Sequence, residues 1–409
     1  MRVLLVNKFY HPSGGAERYV FDWERILRAK GHEALVFSMR HPRNRSCPQE
    51  RFFIEEVRFD KAHGLRDKAR AALHSIWSTE AQRRLEQLLD AEGPPDIAHL
   101  HGIVYQLTPS IVGVLHRRGI PMVQTCHEYA HVCVNQRLYN QRTDEICEAC
   151  LKTCALAPLW TRCLKGSFAA AATACAAGLV ERIAGRMRSR VARFLAPSDF
   201  MRRKMIEGGV PAERVAHVPN FTDVSAVRPS DARGDYVLFV GRLVKHKGIL
   251  TVLDAAEALP DVPFRIAGEG PLADGARERV AQRNLRNVAL VGFLDGEPLH
   301  DALRAARVVL APSEWYENGP LVILEAMATG RAVIAARMGG IPEMVTDGEE
   351  GLLVEPRDAN GLAAAIRTLW GDPDRASAMG RKGRAKAEAQ YDPEKHYERV
   401  MGHFREVIG

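Results

Sequence analysis

Residues 313–345 are the stretch that most constrains how this chain can fold, because a polar loop, an apolar helix and an apolar strand follow one another closely. Gly319-Pro320 predicts a helix start, since proline is favoured in the first helical turn, where its missing N–H is not needed. The nearly all-apolar run 321–328 predicts a helix that is buried on most of its surface. Gly330 then predicts the helix end, and residues 332–336 predict a short buried parallel strand.

Two carboxylates lie in this apolar frame, Glu317 in the loop and Glu325 inside the helix. A buried glutamate is costly without a hydrogen-bonding partner, so Glu325 is expected to have one. The helix N-terminus offers free N–H groups and a positive dipole end to an anion. A carboxylate for hydroxyl groups beside a helix end for a phosphate would suit a sugar nucleotide. The alternative is a buried strand, loop and helix with a glutamate at the surface.

The segment from Glu317 to Glu325 resembles the E-x7-E motif of retaining glycosyltransferases with the GT-B architecture, specifically glycosyltransferase family four. The resemblance implies an α/β fold with two Rossmann-like, doubly wound domains facing a cleft. It also implies a C-terminal helix that crosses back to pack on the first domain. In that family Glu325 would bind the ribose and Glu317 would act in catalysis by holding the sugar, with Gly319, Pro320 and Leu321 beside the donor.

A second motif, GRLVKHKG, begins where an apolar strand ends at Gly241. A guanidinium and an ammonium at a strand end, before a helix N-terminus, predict a diphosphate site, because arginine grips two oxygens and lysine adds charge. The alternative is a solvated loop. The motif is similar to the family's G-R-L-x3-K-G, which implies that Arg242 and Lys247 neutralise the departing diphosphate. No D-x-D of the metal-dependent type is identified, so no catalytic cofactor is expected.

Further donor contacts are implied by the same resemblance at two glycine turns of the second half. Gly268 stands in a G-E-G-P turn that is similar to the family's G-x-G-P/E. Gly292 and Phe293 follow the next strand, where the family lodges the nucleobase. A dinucleotide fingerprint for NAD is not expected, because no acidic residue follows a second strand at the required distance.

The first half begins as a strand, helix and strand, with Gly14-Gly15 at the strand-to-helix turn where nucleotide-binding folds receive phosphate. The alternative is a tight turn that merely needs glycine. The family's G-G-x-E matches Gly14, Gly15 and Glu17, which implies donor contact. His127 in T-C-H-E is similar to the family histidine that contacts the donor sugar, and His101 ends a strand as the family's H-x-H-G does. The alternative for either is a satisfied loop histidine.

A cysteine-rich insert, residues 133–165, interrupts the first half. Six of the eight cysteines lie between 126 and 163. In a reducing compartment such clustering favours a metal over disulfides, so a structural Zn²⁺ is predicted on Cys133, Cys147, Cys150 and Cys163. The alternative is that free cysteines pack as small apolar side chains. A subset of family four has a similar C-x2-C insert followed by R-C-x-x-G/D-S.

The length of 409 residues predicts two domains. We expect an acceptor-side N-terminal domain over 1–222, a nucleotide-sugar-binding domain over 223–388, and a C-terminal helix over 389–409. No run of 18 apolar residues is present, so no membrane-crossing helix is expected. The apolar stretch at the N-terminus is shorter than that of a signal peptide, so none is expected. The expected location is the cytoplasm, including the inner membrane face.

The net charge of +7 leaves nucleic acid, an anionic membrane surface or anionic small substrates as partners. Nucleic acid is not expected, because no stretch interleaves aromatic and basic residues. A denser basic zone over 182–204 suits peripheral contact with a membrane, although such runs are mostly solvated helix faces.

The expected function is therefore transfer of a hexose from a UDP- or GDP-sugar to a glycan, lipid-linked or small-molecule acceptor, as in polysaccharide biosynthesis, with retention of configuration. Two alternatives stay open. One is a sugar-nucleotide epimerase or hydrolase on the same fold. The other is a non-enzymatic, zinc-clipped basic binding protein.

Overall fold

The computed structural model describes residues 1–57, 71–153, 155–164, 166–230 and 232–409. The chain divides into two compact units. The first comprises residues 1–218 together with 397–409, and the second comprises residues 219–396. Each unit is built on a six-stranded parallel sheet.

The sheet of the first unit has the strand order β2-β1-β3-β4-β7-β8, and all its neighbours are parallel. Its strands are nearly continuous apolar runs rather than alternating ones, as expected for parallel strands covered by helices on both faces. The strands are β1 Arg2–Val6, β2 Glu33–Phe37, β3 Ile97–Leu100, β4 Met122–Thr125, β7 Arg193–Ala196 and β8 Val215–His217.

The helices of the first unit connect these strands. The amino-acid pattern of residues 61–92 predicts a helix. The structure has helix over 71–76 and over Thr79–Glu92, and residues 58–70 lie outside the described residues. The α-helices are Gly15–Ala29, Thr79–Glu92, Ser110–Arg117, Ala149–Thr153, Pro158–Thr161, Phe168–Val180, Met187–Arg190 and Asp199–Glu207. Short 3-10 helices span Pro48–Phe52 and Ala212–Arg214, and a π-helical turn spans Glu181–Gly185.

The insert between β4 and β7 contains a small antiparallel hairpin, β5 Tyr139–Asn140 and β6 Glu145–Ile146. The side chains of two asparagines stabilise the insert by hydrogen bonds to backbone carbonyls. Asn135 Nδ2 donates to the Tyr139 carbonyl at 2.6 Å, and Asn140 Nδ2 donates to the Thr161 carbonyl at 3.2 Å. The insert therefore has local order that its sequence did not predict.

The second unit's sheet has the order β11-β10-β9-β12-β13-β14. Numbered along this unit, the order is 3-2-1-4-5-6, so the direction of winding reverses between β9 and β12. Ligands of such sheets bind at the carboxyl ends of the strands on either side of this switch point. The strands are β9 Tyr236–Val240, β10 Phe264–Ala267, β11 Val288–Gly292, β12 Ala306–Ala311, β13 Ala332–Ala336 and β14 Gly351–Val354.

The helix predicted after Pro320 is confirmed as Leu321–Ala328, with the six residues from Ile323 onward buried. Pro320 itself is extended and occupies the N-cap position, so the helix begins at Leu321, one residue later than predicted. Gly330 follows with φ +74°, which is the left-handed conformation expected after a helix end. The other α-helices are Ile249–Glu257, Ala273–Gln282, Gly296–Ala305, Ile341–Met344, Ala359–Gly371 and Pro373–Gln390, and a 3-10 turn spans Lys245–Lys247.

The last helix, Pro393–Ile408, contributes its residues from Tyr397 onward to the first unit. Phe404 is fully buried there. Its ring lies 6.3 Å from the ring of Trp23 and 5.2 Å from that of His99. The Tyr397 hydroxyl lies 2.8 Å from His32 Nε2. An aromatic side chain thus joins the end of the chain to the core near β1 and β3.

One helical stretch among the described residues bears on the expectation that no membrane-crossing helix is present. Phe168–Arg190 is long and apolar enough, by length and composition alone, to span a bilayer. It combines the helix Phe168–Val180, the π-helical turn and the helix Met187–Arg190. The stretch contains no run of 18 apolar residues, because Glu181 and Arg182 follow Val180 and further arginines stand at Arg186, Arg188 and Arg190.

Phe404→Ala should lower the free energy of unfolding by about 3–5 kcal/mol, because it removes a fully buried ring and leaves a cavity. Ile408→Ala, on the same helix but at an exposed position, should change it by less than about 0.5 kcal/mol. Urea unfolding followed by circular dichroism measures both. Equal losses in the two variants would show that the Phe404 contacts do not stabilise this unit.

Candidate active site

Two loops meet at the switch point of the second unit. One follows β9 and runs to Gly248, and the other follows β12 and starts at Pro312. Gly248 has φ +79°, and a Cβ there would lie 2.0 Å from the Pro312 carbonyl oxygen. Only glycine permits this approach. The two predicted motifs are therefore brought into contact by the backbone.

Glu317 is the centre of the contact between these loops. Three donors converge on its Oε1 atom: Lys247 Nζ at 2.5 Å, Ser313 Oγ at 2.6 Å and Trp315 Nε1 at 2.7 Å. No described residue donates to Oε2. Lys247 comes from the loop after β9, and the other three residues come from the loop after β12. Lys247 and Glu317, which were predicted separately as phosphate and sugar contacts, thus form an ion pair across the switch point.

Glu317 remains ionised although it is buried. Burial opposes the charge most strongly, but the attraction of Lys247 and the hydrogen bonds from Lys247, Ser313 and Trp315 outweigh it and hold the pKa below its ordinary value. A buried carboxylate without such partners would take up a proton instead. The site therefore carries a fixed negative charge that is matched by the lysine.

Backbone contacts fix the position of the Glu317 loop. A Cβ on Gly339, which has φ +61°, would lie 2.3 Å from the Glu317 carbonyl oxygen. That carbonyl accepts a hydrogen bond of 2.7 Å from the Gly340 N–H. Asn220 Nδ2 donates to the Gly319 carbonyl at 2.8 Å. Residues far apart in sequence thus hold the entry to the helix Leu321–Ala328.

The other predicted residues of this motif lie on or beside that helix. Glu325 is buried on its second turn.

Arg242 follows β9 and is exposed. Within the described part of the chain its guanidinium makes no hydrogen bond or ion pair. Its donors are therefore open to a ligand.

Gly268, Gly292 and Phe293 lie at the carboxyl ends of β10 and β11, on the same edge of the sheet as the switch-point loops. The Gly268 N–H donates to the Gly292 carbonyl at 2.7 Å, which joins the two turns. The ring of Phe293 is exposed. The structure thus places the predicted phosphate, sugar and base contacts of this unit along one sheet edge.

In the first unit, His101 and His127 follow the neighbouring strands β3 and β4. His101 Nδ1 lies 3.1 Å from His127 Nε2, and the ring of Tyr19 packs edge-on against His127 at 5.1 Å. Beneath them, His99 Nε2 lies 2.8 Å from Thr125 Oγ1. The two predicted histidines therefore form one buried pair.

Both histidines of the pair are neutral near pH 7. Burial, with a smaller effect of Lys8, lowers the pKa of His127 to about 4. Burial and the neighbouring His99 and His127 place the pKa of His101 well below its ordinary value. His101 Nε2 has no hydrogen-bond partner among the described residues. Because a buried unpaired N–H is rarer than an unpaired acceptor, the favoured tautomer has His101 Nδ1–H donating to His127 Nε2.

Gly14 and Gly15 stand at the N-terminus of the helix Gly15–Ala29, in the same unit as the histidine pair. Glu17 is buried in its first turn, where burial raises its pKa against the opposing effects of Lys8 and Asn7. Lys8 Nζ lies 3.7 Å from Glu128. Asn7 Oδ1 accepts from the Gly102 N–H at 2.9 Å. Polar side chains thus gather where β1 and β3 end.

The zinc site predicted on Cys133, Cys147, Cys150 and Cys163 is not supported. Among the described residues, no group of three or more His, Cys, Asp or Glu side chains is arranged to hold a metal ion. The Cys133 thiol instead donates to Asn135 Oδ1 at 2.9 Å. A hydrogen bond with Cys150 lowers the pKa of Cys133 to about 7. Cys133, Cys150 and Cys163 are buried within the hydrogen-bonded insert, and Cys147 is partly exposed.

One D-x-D spacing does occur, at Asp372-Pro373-Asp374. Asp372 caps the helix Pro373–Gln390 by accepting from the Arg375 N–H at 2.9 Å. Asp374 pairs with Arg233 at 3.4 Å. Helix capping and a surface ion pair account for both carboxylates.

Sequence reasoning missed several residues that build these clusters. Glu314 is buried and accepts from Thr251 Oγ1 at 2.9 Å and from Arg357 Nε at 3.1 Å. Its position in the acidic loop that starts at Ser313 was the sequence feature that could have identified it. The other missed residues are Asn7, Lys8, Asn220, Ser313 and Trp315.

Two family models match the chain. The model described as Glycosyltransferase Family 4 matches residues 13–226, and the model described as Glycosyl transferases group 1 matches residues 221–386. Together they span residues 13–386, which include the Lys247–Glu317 pair and the histidine pair but not Asn7, Lys8 or the last helix.

Among similar proteins, a glycogen synthase of Mycobacterium tuberculosis is 27% identical over 96% of this chain and 91% of its own length. An alpha-D-kanosaminyltransferase of Streptomyces kanamyceticus is 30% identical over 51% of this chain and 58% of its own length. Among solved structures, sucrose-phosphate synthase from Thermosynechococcus elongatus covers 99% of this chain and 98% of its own, with 22% identity and a TM-score of 0.72. HepE of Anabaena, in complex with UDP and glucose, covers 100% of both chains, with 17% identity and a TM-score of 0.69.

Stability should fall as the pH drops from about 7 towards 4, because the unfolded chain binds protons on its histidines near pH 6.5 whereas the folded chain keeps three of them neutral. Burial lowers the pKa of His127 to about 4 and that of His131 to about 3, and places that of His101 well below normal. Each adds at most about 1.4 kcal/mol per pH unit. His131→Phe should remove one such contribution from the slope measured by urea unfolding. An unchanged slope would contradict the buried neutral state of His131.

Proposed function

The chain belongs to glycosyltransferase family 4 and has the GT-B fold, and from this we propose that it is a retaining, metal-independent glycosyltransferase using a nucleotide-diphosphate sugar. The observation that carries the proposal is the Lys247–Glu317 pair at the switch point of the second unit. It places a positive and a negative group where such sheets bind nucleotides.

The diphosphate would be held by positive charge from the loop after β9. Arg242 has open donors and can grip two phosphate oxygens. The Lys247 ammonium has three donors, so it can contact a phosphate oxygen while it keeps Glu317. The N-terminus of the helix that starts after Pro320 supplies further N–H groups. These groups would do the work that a metal ion does in other transferases.

The sugar hydroxyls would be bound by Glu317 through Oε2, since its Oε1 is occupied by three donors. Glu325 is proposed to bind the ribose and Phe293 to contact the base. The complex of HepE with UDP and glucose supports a uridine nucleotide as the first donor to test, with GDP-hexoses as the second. In the first unit, His127, Gly14 and Gly15 stay predictions from the sequence resemblance.

The proposed reaction is a front-face displacement. The acceptor hydroxyl oxygen attacks the anomeric carbon on the side from which the nucleoside diphosphate leaves. The bond from that carbon to the diphosphate oxygen breaks with its electron pair, and the departing phosphate takes the hydroxyl proton. Arg242 and Lys247 stabilise the charge that develops on the diphosphate. The acceptor is proposed to be a glycan, a lipid-linked or a small-molecule hydroxyl in the cytoplasm, at or near the inner membrane face.

Incubation with UDP-, GDP- and ADP-hexoses in the presence of EDTA tests this function. One nucleoside diphosphate should be released only when an acceptor is present, and NMR of the product should show the donor's anomeric configuration. Loss of turnover in EDTA that Mg²⁺ or Mn²⁺ restores would contradict metal independence. An inverted product would contradict retention. Consumption of the donor without an acceptor would favour an epimerase or hydrolase.

Glu317→Ala and Lys247→Ala should each lower turnover by about 10²-fold or more, because each removes a charge that acts on the reacting donor. Lys382→Ala and Glu349→Ala are the matched controls, since this lysine and glutamate also pair within the second unit but are exposed. The controls should keep near-normal turnover. Thermal unfolding of all four variants shows whether the folded state persists.

Near-normal turnover in a folded Glu317→Ala or Lys247→Ala variant would refute the assignment. Lys247→Ala leaves the buried carboxylate of Glu317 without its partner, which can unfold the protein. In that case the double variant Lys247→Ala/Glu317→Gln is used to test the assignment instead. It removes both charges and should still lack turnover.

A further inference from the structure

An apolar surface stands out in the first unit, on the segment between residues 156 and 183. Five of the nine large apolar side chains that are exposed among the described residues lie in this short segment, with exposed fractions from 44% to 63%. They are Leu156, Trp160, Phe168, Leu179 and Ile183. Single exposed apolar residues are ordinary, but a cluster indicates an interaction site. We call these five residues the apolar patch.

Helix geometry places three members of the apolar patch on the same side. Phe168 and Leu179 are eleven residues apart, which is close to three full α-helical turns, and Ile183 follows Leu179 by about one turn, inside the π-helical turn. Ala171, Ala174 and Cys175 are buried and face the rest of the unit. The helix therefore packs through small side chains, whereas Phe168, Leu179 and Ile183 are exposed.

The other two members lie beside this helix. A Cβ on Gly178 would lie 3.2 Å from the Ala155 Cβ. The chain just before the short helix Pro158–Thr161 therefore packs tightly against the helix Phe168–Val180. Leu156 and Leu179 are the next residues on each side of that contact, and both are exposed. The apolar patch is therefore a joint feature of two packed helices.

The charge around the apolar patch is positive. Residues 155–190 contain six lysines and arginines and a single acidic residue, Glu181. Glu181 accepts from the Met187 N–H, and burial raises its pKa. Arg162, Arg182 and Arg186 are exposed. Glu181 is near enough to Arg182 and Arg188 for their charges to lower its pKa, so this single carboxylate faces an excess of positive charge. The segment thus combines exposed apolar side chains with a net positive charge.

The second half of the basic zone differs from the first. Arg202 and Arg203 pair with Asp199, and Lys204 pairs with Glu148 and Glu207. The uncompensated charge is therefore concentrated beside the apolar patch, around residues 182–186, and not spread over 182–204.

We propose that the apolar patch docks on an anionic lipid bilayer, with Trp160, Phe168, Leu179 and Ile183 at the level of the headgroups and Arg182 and Arg186 against lipid phosphates. Tryptophan and arginine beside an apolar helix face are the side chains that lie in this interface. A second copy of the chain fits less well, because a symmetric contact through this surface would bring the arginines of both copies together. The proposal concerns docking and is independent of the catalytic assignment.

Vesicle flotation tests the proposal with the full chain. The protein should float with vesicles of phosphatidylcholine and phosphatidylglycerol, and far less with phosphatidylcholine alone or at high salt. Trp160→Ser/Ile183→Ser should weaken binding by at least about 10-fold through lost apolar burial. Arg182→Glu/Arg186→Glu should weaken it by about 100-fold or more, because two charges reverse sign.

The matched controls change similar residues elsewhere. Leu73→Ser removes another exposed leucine of the first unit. Arg277→Glu/Arg286→Glu gives the same change in net charge at exposed positions of the second unit. Both should bind vesicles like the unaltered protein. Thermal unfolding should be unchanged in every variant, because all the positions are exposed.

Three results would overturn the proposal. One is absence of flotation with anionic vesicles, and another is equal weakening in the controls and in the patch variants. The third is a concentration-dependent dimer in sedimentation that Trp160→Ser/Ile183→Ser abolishes, which would assign the apolar patch to a second copy. Glycosyl transfer to a soluble acceptor should persist in the patch variants, so failure of docking and failure of the proposed function are separate outcomes.

Discussion

A buried, ionised carboxylate is the constraint on which the second unit's site depends. Glu317 can keep its charge only where cationic and hydrogen-bonding partners replace water, and Lys247, Ser313 and Trp315 do so on a single oxygen. Because Lys247 comes from a different loop, the requirement for charge balance also joins the loops after β9 and β12. One interaction therefore fixes the geometry of the switch point and supplies its chemistry.

The backbone makes this interaction possible. Gly248 lies against the Pro312 carbonyl and Gly339 lies against that of Glu317, in each case closer than any residue with a Cβ could come. The strand order brings β9 and β12 side by side, so the residues that follow them are neighbours although about seventy positions separate Lys247 from Glu317. Sheet topology, glycine conformation and ion pairing thus act on the same few residues.

Much of this could be predicted from sequence, and the limits have physical causes. Continuous apolar runs located the parallel strands, and the apolar frame of residues 321–328 located a buried helix, because both patterns are local. The direct bond between Lys247 and Glu317, and the hold of Asn220 on Gly319, are contacts between distant segments that no local pattern records. For Cys133 the spacing was compatible with a metal, yet the thiol's partner is Asn135. The apolar patch was missed because alanine-rich sequence does not reveal which side of a helix packs.

The central claim is that Lys247 and Glu317 act as one unit in holding the nucleotide sugar. Calorimetry measures the binding of the nucleoside diphosphate and of the corresponding nucleotide sugar to four proteins. These are the unaltered protein, Lys247→Ala, Glu317→Gln and the double variant, which together form a double-mutant cycle. The account predicts a coupling energy of about 1–3 kcal/mol for the sugar nucleotide, since residues in contact are not additive. Effects that add within about 0.5 kcal/mol would contradict it.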